Sequence, residues 1–428
     1  MSIISRAATA PAHPFMDPLA ILLFMVAVLL TWAQVQHRSI APVVITAGPE
    51  ARLVELYWAL SEFEKTPDIS AKPRKNQWNV AVETVLLAEG GHAEEARGQL
   101  GHTPEGAFRA CWEAAYGSGP MPTDRELAAA YSGLGDGLAS KCLEISLAAR
   151  ESEDAGRMRS ETLKIYRYRA IALLFTLFAL LIGAVIGMGM GIWMLAKRAP
   201  MPDSPQFQMS WVSVARVCLG WYIVFLASAT ITGWVNSAIP LGVWALPAAY
   251  SVHAASGVAF ICAAEKVSLT TLWRRVSPKN RFWIPNGIQF LLLALALVLA
   301  LTAILSLFMP EGDPPQRELT EFIRGNNGVL PFLVIFGTVA LLGPAFEELF
   351  FRGFLLPVMR RSMSAWWALL VSSGLFGAIH FQLQTLPTLA LLGGVLGLAF
   401  LRTGDIKTAV FVHGCWNGGV FLFQKMLL

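Results

Sequence analysis

From residue 170 onward the chain is a succession of apolar segments separated by short polar turns. These segments cover about residues 170–196, 211–232, 241–263, 284–309, 328–358, 366–384, 387–401 and 408–427, and an earlier one covers 18–33. A helix of about 20 apolar residues crosses the hydrocarbon layer of a bilayer, and all of these segments except the short 387–401 have a suitable length. The pattern predicts an all-α fold, a polytopic membrane helix bundle with about nine transmembrane helices.

The overall composition agrees with this interpretation. The 428 residues are 55% hydrophobic and 14% charged, whereas soluble domains carry about 25% charged residues. The net charge of +4 reflects Lys and Arg in the turns, and no nucleic-acid partner is expected.

A polar stretch of residues 36–168 interrupts the apolar pattern and predicts a helical soluble insert. Its helices are expected at Glu50–Glu64, Trp78–Leu100, Pro104–Tyr116, Thr123–Ala149 and Glu151–Tyr168, with Gly and Pro between them. We therefore divide the chain into a membrane anchor (1–35), the soluble domain (36–168), the preceding transmembrane helices (169–327) and a transmembrane core (328–428). No small-x-small cleavage site follows the first apolar segment, which favours a retained anchor over a cleaved signal peptide.

The Lys and Arg residues of the short loops predict the orientation. With a cytoplasmic N-terminus, the cytoplasmic short loops hold Lys197, Arg198, Lys266, Arg274, Arg275, Lys279, Arg281, Arg360, Arg361, Arg402 and Lys407, against Arg317 and Arg324 on the other side. We expect an integral protein of a bacterial inner membrane with the soluble insert in the periplasm, where Cys111 and Cys142 could form a disulfide.

Three charged residues stand inside the apolar segment 328–358: Glu347, Glu348 and Arg352. A charge in a membrane span costs at least a few kcal/mol, and such residues are usually paired and functional. Glu348 and Arg352 are i, i+4 with the acid first, which favours an ion pair. Glu347 points about 100° away on the helix and needs a partner from another helix.

Two later segments supply polar partners. His380 lies four residues after Phe376, and Asn417 lies four residues after His413. At 1.5 Å per residue, Glu347 and His380 lie ~18 and ~21 Å from the turn that joins their segments, and His413 and Asn417 lie ~9 and ~15 Å from Lys407. Helix tilt absorbs these differences, so we expect the side chains to meet inside the bilayer.

This combination of residues suits attack of water on an amide. A buried Glu347 beside His380 can act as a general base toward water. His413 and Asn417 can donate hydrogen bonds to the oxyanion of a tetrahedral intermediate. The predicted partners are a peptide or membrane-protein substrate and the lipid bilayer, and the oligomeric state stays open.

Two alternatives remain at this point. The sequence indicates no certain cofactor, but Glu347, His380 and His413 are acceptable ligands for a divalent metal such as zinc, although the chain has no H-E-x-x-H motif. The same polar cluster could also serve a proton-coupled transporter or a non-catalytic scaffold such as an immunity factor. Inverted repeats would favour a transporter, and none is visible. His253 has no motif context and is expected to be structural.

The motifs at 347–352 (E-E-x-x-x-R), 376–380 (F-x-x-x-H) and 413–417 (H-x-x-x-N) resemble those of the CPBP intramembrane proteases, also called the Abi or CaaX protease family. That family includes the glutamate membrane protease that trims prenylated CaaX proteins. The resemblance implies that Glu347 activates water with His380, that Glu348 pairs with Arg352, and that His413 with Asn417 assists the oxyanion. It covers about residues 328–428 and excludes the polar insert.

Overall fold

The computed structural model describes residues 17, 19–28, 31, 54–55, 58–59, 77–135, 137–149, 155–196, 201–278, 280–306, 328–380, 382 and 384–427. The regular elements within these ranges are all helices, so the all-α prediction is confirmed. The chain separates into two compact units, which we call the helical unit (residues 42–180 with 423–428) and the membrane unit (1–41 and 181–422). The finer division into four segments stays a prediction.

The long helices follow one another in chain order. They are α1 Leu19–Val28, α2 Gln77–Glu89, α3 Ala93–Gln99, α4 Ala107–Tyr116, α5 Asp124–Leu134, α6 Leu138–Ala148, α7 Ala155–Ala196, α8 Trp211–Ala238, α9 Ala245–Glu265, α10 Leu269–Val276, α11 Trp283–Ser306, α12 Val329–Met359, α13 Ala365–Ala378, α14 Leu386–Thr403 and α15 Ile406–Leu427. Short 3-10 turns at Leu100–His102 and Gly242–Trp244 complete the described elements.

Six of these helices are long and apolar enough to cross a membrane: α7, α8, α9, α11, α12 and α14. The protein is therefore an integral membrane protein, but the predicted count of about nine spans is not confirmed. The helices α1 and α13 are apolar but shorter, and α15, with 22 residues, is not among the six. Helix α13 ends at Ala378, before residue 384 where the sequence predicts the end of the span. The predicted helix Glu50–Glu64 falls mostly outside the described residues.

The helical unit has a core of large apolar side chains, with Phe108 and Trp112 from α4, Leu134 from α5 and Leu138 from α6 fully buried. The sequence predicts continuous helices over Trp78–Leu100 and Thr123–Ala149, and both predictions are wrong. Each helix is interrupted by a glycine with positive φ, Gly91 at 85° and Gly135 at 68°, which is a backbone conformation that ends helices.

Both cysteines of the helical unit are buried free thiols, so the disulfide considered from the sequence is not formed. Burial raises the pKa of Cys111 to about 11 and raises that of Cys142 well above its usual value. Because the thiolate is the reactive form, these two residues serve as small apolar core side chains.

Packing in the membrane unit depends on close contacts between small and aromatic residues. Helix α13 packs against α14, α8 against α9, and α11 against α14. Gly257 of α9 allows the rings of Trp221 and Phe346 to approach so closely that an added Cβ would lie 2.8 and 2.6 Å from them. Trp221 also packs on Phe350, with ring centroids 4.1 Å apart. The aromatic side chains of α12 are thereby fixed against α8 and α9.

A pair of glycines in α7 tests how tightly this helix packs on α11. A Cβ at Gly187 would lie 1.9 Å from the Leu292 carbonyl oxygen, whereas Gly189 has nothing within 4 Å. Overpacking a well-packed contact costs roughly 1–3 kcal/mol. We expect Gly187→Ala to lower the thermal unfolding temperature of the purified protein and Gly189→Ala to leave it unchanged. Equal effects of the two substitutions would contradict this packing.

Candidate active site

The helix that carries both glutamates is not a regular α-helix. Within α12, α-helical turns at Val329–Gly337, Gly343–Glu348 and Leu356–Met359 alternate with π-helical turns at Thr338–Leu342 and Leu349–Leu355. Each π-helical segment ends just before a proline, Pro344 or Pro357. A proline lacks the N–H of the helical ladder and its ring clashes with the preceding turn, so the wider turn accommodates it. Short π-helical turns occur frequently at functional sites.

Glu348 is completely buried and shares one oxygen between two donors. Its Oε1 accepts a hydrogen bond from Arg352 Nη1 at 2.8 Å and from His413 Nδ1 at 2.8 Å. A buried charge that loses its partner costs roughly 3–5 kcal/mol. The i, i+4 ion pair expected from the sequence therefore forms, and it also engages an imidazole from α15.

The guanidinium of Arg352 is held on two further sides. Its Nη2 donates to the backbone carbonyl of Gly393 in α14 at 2.9 Å. Its Cζ lies 4.5 Å from the ring centroid of Phe376 in α13, which is a cation–π distance. Arg352 thus connects α12 to both α13 and α14 and leaves Glu348 no freedom to turn outward.

Glu347 has very different surroundings. Its side chain is nearly buried, and its Oε2 has no hydrogen-bond partner among the described residues. His413 Nε2 of α15 lies 3.9 Å from Oε2, which is beyond hydrogen-bond distance. A buried acceptor without a hydrogen bond costs roughly 1–3 kcal/mol of stability. Such groups are therefore rare in folded proteins, and one at this position indicates a functional role for Glu347.

The hydrogen bond to Glu348 determines how His413 presents its ring. The ionised carboxylate of Glu348 can only accept, so Nδ1 of His413 carries the proton. The other ring nitrogen, Nε2, faces Glu347. The two adjacent carboxylates of α12 therefore lie on opposite sides of one imidazole, one bonded to it and one free.

His380 lies just beyond the end of α13 and is half-buried. Its Nδ1 donates to the Phe376 carbonyl oxygen at 2.9 Å, which leaves Nε2 as an acceptor. The Phe376 ring has its centroid 5.3 Å from that of His380 and 5.5 Å from that of His413. Among the described residues no hydrogen bond joins His380 to Glu347, so the structure brings one of the two predicted imidazoles against this carboxylate.

Asn417 lies one turn after His413 on α15. Its Nδ2 donates to the backbone carbonyl of Val339, inside the first π-helical turn, at 3.1 Å. The side chain is thus bonded to the backbone of α12 upstream of Glu347. Its predicted role toward an oxyanion stays a prediction.

The donor set does not fit a single metal ion. The described residues contain no group of three His, Cys, Asp or Glu side chains placed to hold one. Of the predicted ligands Glu347, His380 and His413, the last has Nδ1 bonded to Glu348, and the Phe376 ring packs against both imidazoles. We therefore derive no chemical step through a metal.

Several residues of the site were not identified from the sequence as its parts. Gly393 is one, and the pair Gly393-Gly394 in an apolar helix is a signal for such close approach. Tyr250 is another: its Cε1 lies 3.0 Å, and Glu347 Oε1 3.6 Å, from the point where Gly343 would carry a Cβ. His253 hydrogen-bonds the Ala249 carbonyl oxygen of its own helix through Nδ1, at 3.0 Å.

The part of the chain that carries this site is similar in sequence to a known protein family. Residues 329–419 match the family described as "Type II CAAX prenyl endopeptidase Rce1-like". The resemblance predicted from the three motifs is therefore confirmed over this region, which includes all six candidate residues.

Two curated proteins are also similar to this chain. "Putative membrane peptidase YdiL" of Bacillus subtilis (strain 168) is 27% identical over 109 residues, which are 26% of this chain and 44% of that protein. "Uncharacterized 24.3 kDa protein" of Escherichia coli is 38% identical over 81 residues, 18% of this chain and 37% of that protein. The chain thus spans less than half the length of either relative. No solved structure matches it significantly.

Adjacent glycines of α14 provide a matched test of the Arg352 site. A Cβ at Gly393 would lie 3.2 Å from Arg352 Nη2 and 3.1 Å from the Phe376 ring, whereas at Gly394 the nearest atom is Ser373 Oγ at 3.8 Å. We expect Gly393→Ala to displace the guanidinium and to destabilise the protein by about 1 kcal/mol or more. Gly394→Ala should unfold at the wild-type temperature. A Gly393→Ala protein as stable as wild type would show that this contact is not tight.

Proposed function

We propose that this protein is an intramembrane endopeptidase in which Glu347 activates the attacking water. The observation that supports this most strongly is the contrast between adjacent carboxylates. One oxygen of Glu348, Oε1, accepts from both Arg352 and His413, although its Oε2 has no partner among the described residues, whereas Glu347 accepts no hydrogen bond from the described residues and lies beside an imidazole. The match of residues 329–419 to an endopeptidase family and the similarity to a putative membrane peptidase of Bacillus subtilis support the same reaction class.

The proposed reaction begins with proton transfer from water to the Glu347 carboxylate. The water oxygen bonds to the carbonyl carbon of the substrate, and the carbonyl oxygen becomes an oxyanion. The carbon–nitrogen bond then breaks as the leaving nitrogen takes the proton from Glu347. The products are a carboxylic acid and an amine, which become a carboxylate and an ammonium by proton transfer between them, and Glu347 returns to its ionised form. A positioned general base of this kind contributes about 10²–10⁴-fold to the rate.

The two histidines take different parts in this proposal. His380 donates from Nδ1 to the Phe376 carbonyl oxygen, so its Nε2 is an acceptor. This nitrogen can accept a hydrogen bond from the second hydrogen of the water. His413 in its doubly protonated form donates from Nε2 toward the oxyanion. The hydrogen bond between Nδ1 and the Glu348 carboxylate holds the ring in this orientation.

Charge balance is consistent with this assignment. With His413 protonated, the buried set contains two carboxylates, one guanidinium and one imidazolium, and its net charge is zero. Paired charges are the form in which ionised groups are tolerated away from water. The family's additional expectation, that Asn417 also donates to the oxyanion, competes with its bond to Val339.

The substrate class that follows is a peptide segment reached within or at the membrane. We infer that the N-terminus is cytoplasmic and that the soluble insert of residues 36–168 lies on the periplasmic side of a bacterial inner membrane, from the excess of Lys and Arg in the opposite short loops. Six helices able to span a membrane support the bilayer as the permanent partner. The proposal requires no cofactor.

Cleavage of a quenched fluorescent peptide library by the purified full chain, in detergent and in liposomes, tests this function. We expect Glu347→Ala and His380→Ala to lower cleavage by about 10²-fold or more, because each removes a group that handles the attacking water. Both proteins should keep the wild-type unfolding temperature to within a few degrees.

Cys415→Ser is the matched control, since Cys415 is exposed on α15 two residues from His413. It should cleave like wild type. Wild-type cleavage by either the Glu347 or the His380 variant would contradict the proposal. A wild-type protein that cleaves no library peptide would favour the non-catalytic scaffold.

A further inference from the structure

The backbone of the first π-helical turn leaves one carbonyl without a helical donor. Gly343 N–H bonds to the carbonyl oxygen of Thr338, five residues earlier. In the same i, i+5 pattern, the backbone donor to the next carbonyl, that of Val339, would be the nitrogen of Pro344. A proline nitrogen carries no hydrogen. Val339 therefore needs a donor from elsewhere, because an unsatisfied backbone carbonyl inside a membrane bundle costs several kcal/mol.

Asn417 supplies that donor from the neighbouring helix, with Nδ2 at 3.1 Å from the Val339 carbonyl oxygen. One turn earlier on α15, Gly414 lies so close to α12 that an added Cβ would be 2.5 Å from the carbonyl oxygen of Ala340. The lack of a side chain at Gly414 lets the two backbones approach, and Asn417 completes the contact. The motif that begins at His413 thus fits against the irregular turn of α12.

The irregular turn sets the direction in which Glu347 points. A π-helical turn contains one residue more than an α-helical turn, and one residue corresponds to about 100° around the helix axis. Glu347 follows Pro344 by three residues. If the turn relaxed to α-helical geometry, the carboxylate would rotate away from His413 Nε2, which is now 3.9 Å away.

We propose that Asn417 is a positioning residue that replaces the backbone donor missing at Pro344 and so holds Glu347 toward His413. This inference rests on the proposed peptidase function for its effect on catalysis. In this proposal the Asn417 amide donates its hydrogen bond to the backbone of α12. The family resemblance implies instead that it donates to the oxyanion. The two roles make opposite predictions for a variant in which residue 344 has an N–H.

The experiment compares Asn417→Ala, Pro344→Ala and the double variant in the full chain, with the library peptide that wild type cleaves best. A misplacement of a reacting group by about 1 Å can cost about 10²-fold in rate. We expect Asn417→Ala to lower kcat by about that factor with KM unchanged. The Pro344→Ala substitution provides an N–H for Val339, so the double variant should recover most of the lost kcat.

Pro357→Ala is the matched control. It follows the second π-helical turn in the same way, because Leu356 N–H bonds to the Phe351 carbonyl oxygen, and its restored N–H cannot reach Val339. In combination with Asn417→Ala, Pro357→Ala should leave kcat as low as in the Asn417→Ala single variant. Equal loss of kcat from Asn417→Ala with and without Pro344→Ala would overturn the proposal and favour the oxyanion role.

Thermal unfolding gives a second measurement that needs no cleavage. The destabilisation by Asn417→Ala should be smaller in the Pro344→Ala background than in wild type, because the carbonyl is already satisfied there. Equal destabilisation in both backgrounds would overturn the positioning role even if Pro344→Ala itself lowers activity. If Asn417→Ala destabilises the Pro344→Ala protein less than wild type, but wild type cleaves no peptide, the proposed peptidase function is overturned. The contact between Asn417 and the Val339 carbonyl is then still supported.

Discussion

A single buried carboxylate organises the core of the membrane unit. Glu348 accepts from Arg352 of its own helix and from His413 of α15, and Arg352 extends the network to Gly393 of α14 and to the ring of Phe376 in α13. Four helices are thereby joined through one ion pair. Removal of either Glu348 or Arg352 would leave the other charge buried without a partner, which lowers the stability of the folded protein. The proposed catalytic group, Glu347, depends on this network for its neighbour His413.

The distorted backbone of α12 is the second requirement of the site. Two prolines interrupt the hydrogen-bond ladder, and two π-helical turns bracket the segment Gly343–Glu348 that carries the glutamates. In water such a helix would have its free carbonyls hydrated, whereas in a membrane bundle another side chain must satisfy them. The bond from Asn417 to Val339 meets this need at one position. The π-helical turn of α12 and the His413–Asn417 motif of α15 are therefore joined by a direct hydrogen bond.

Much of this arrangement could be predicted from residue spacing. The i, i+4 order of Glu348 and Arg352 indicates their pair, and Glu347 is predicted to need a partner from another helix. The rest depends on tertiary geometry. Spacing alone cannot tell that His413 bonds Glu348 through Nδ1, that Phe376 packs against both His380 and His413, or that Asn417 reaches a backbone carbonyl. The hydropathy pattern also did not indicate that α13 ends at Ala378, ahead of the predicted end of that span at residue 384.

The central claim is that two neighbouring carboxylates of one helix have different states: Glu348 is ion-paired with Arg352, and Glu347 accepts no hydrogen bond from the part of the chain that the structure describes. Modification with a hydrophobic carbodiimide, followed by mass spectrometry of the peptide that contains both residues, measures this directly. Such reagents attack carboxyl groups that can take up a proton, and an ion-paired carboxylate resists them. The account predicts modification of Glu347, its loss in Glu347→Gln, and no modification of Glu348. Modification of Glu348 in the folded protein, or of neither residue, would contradict it.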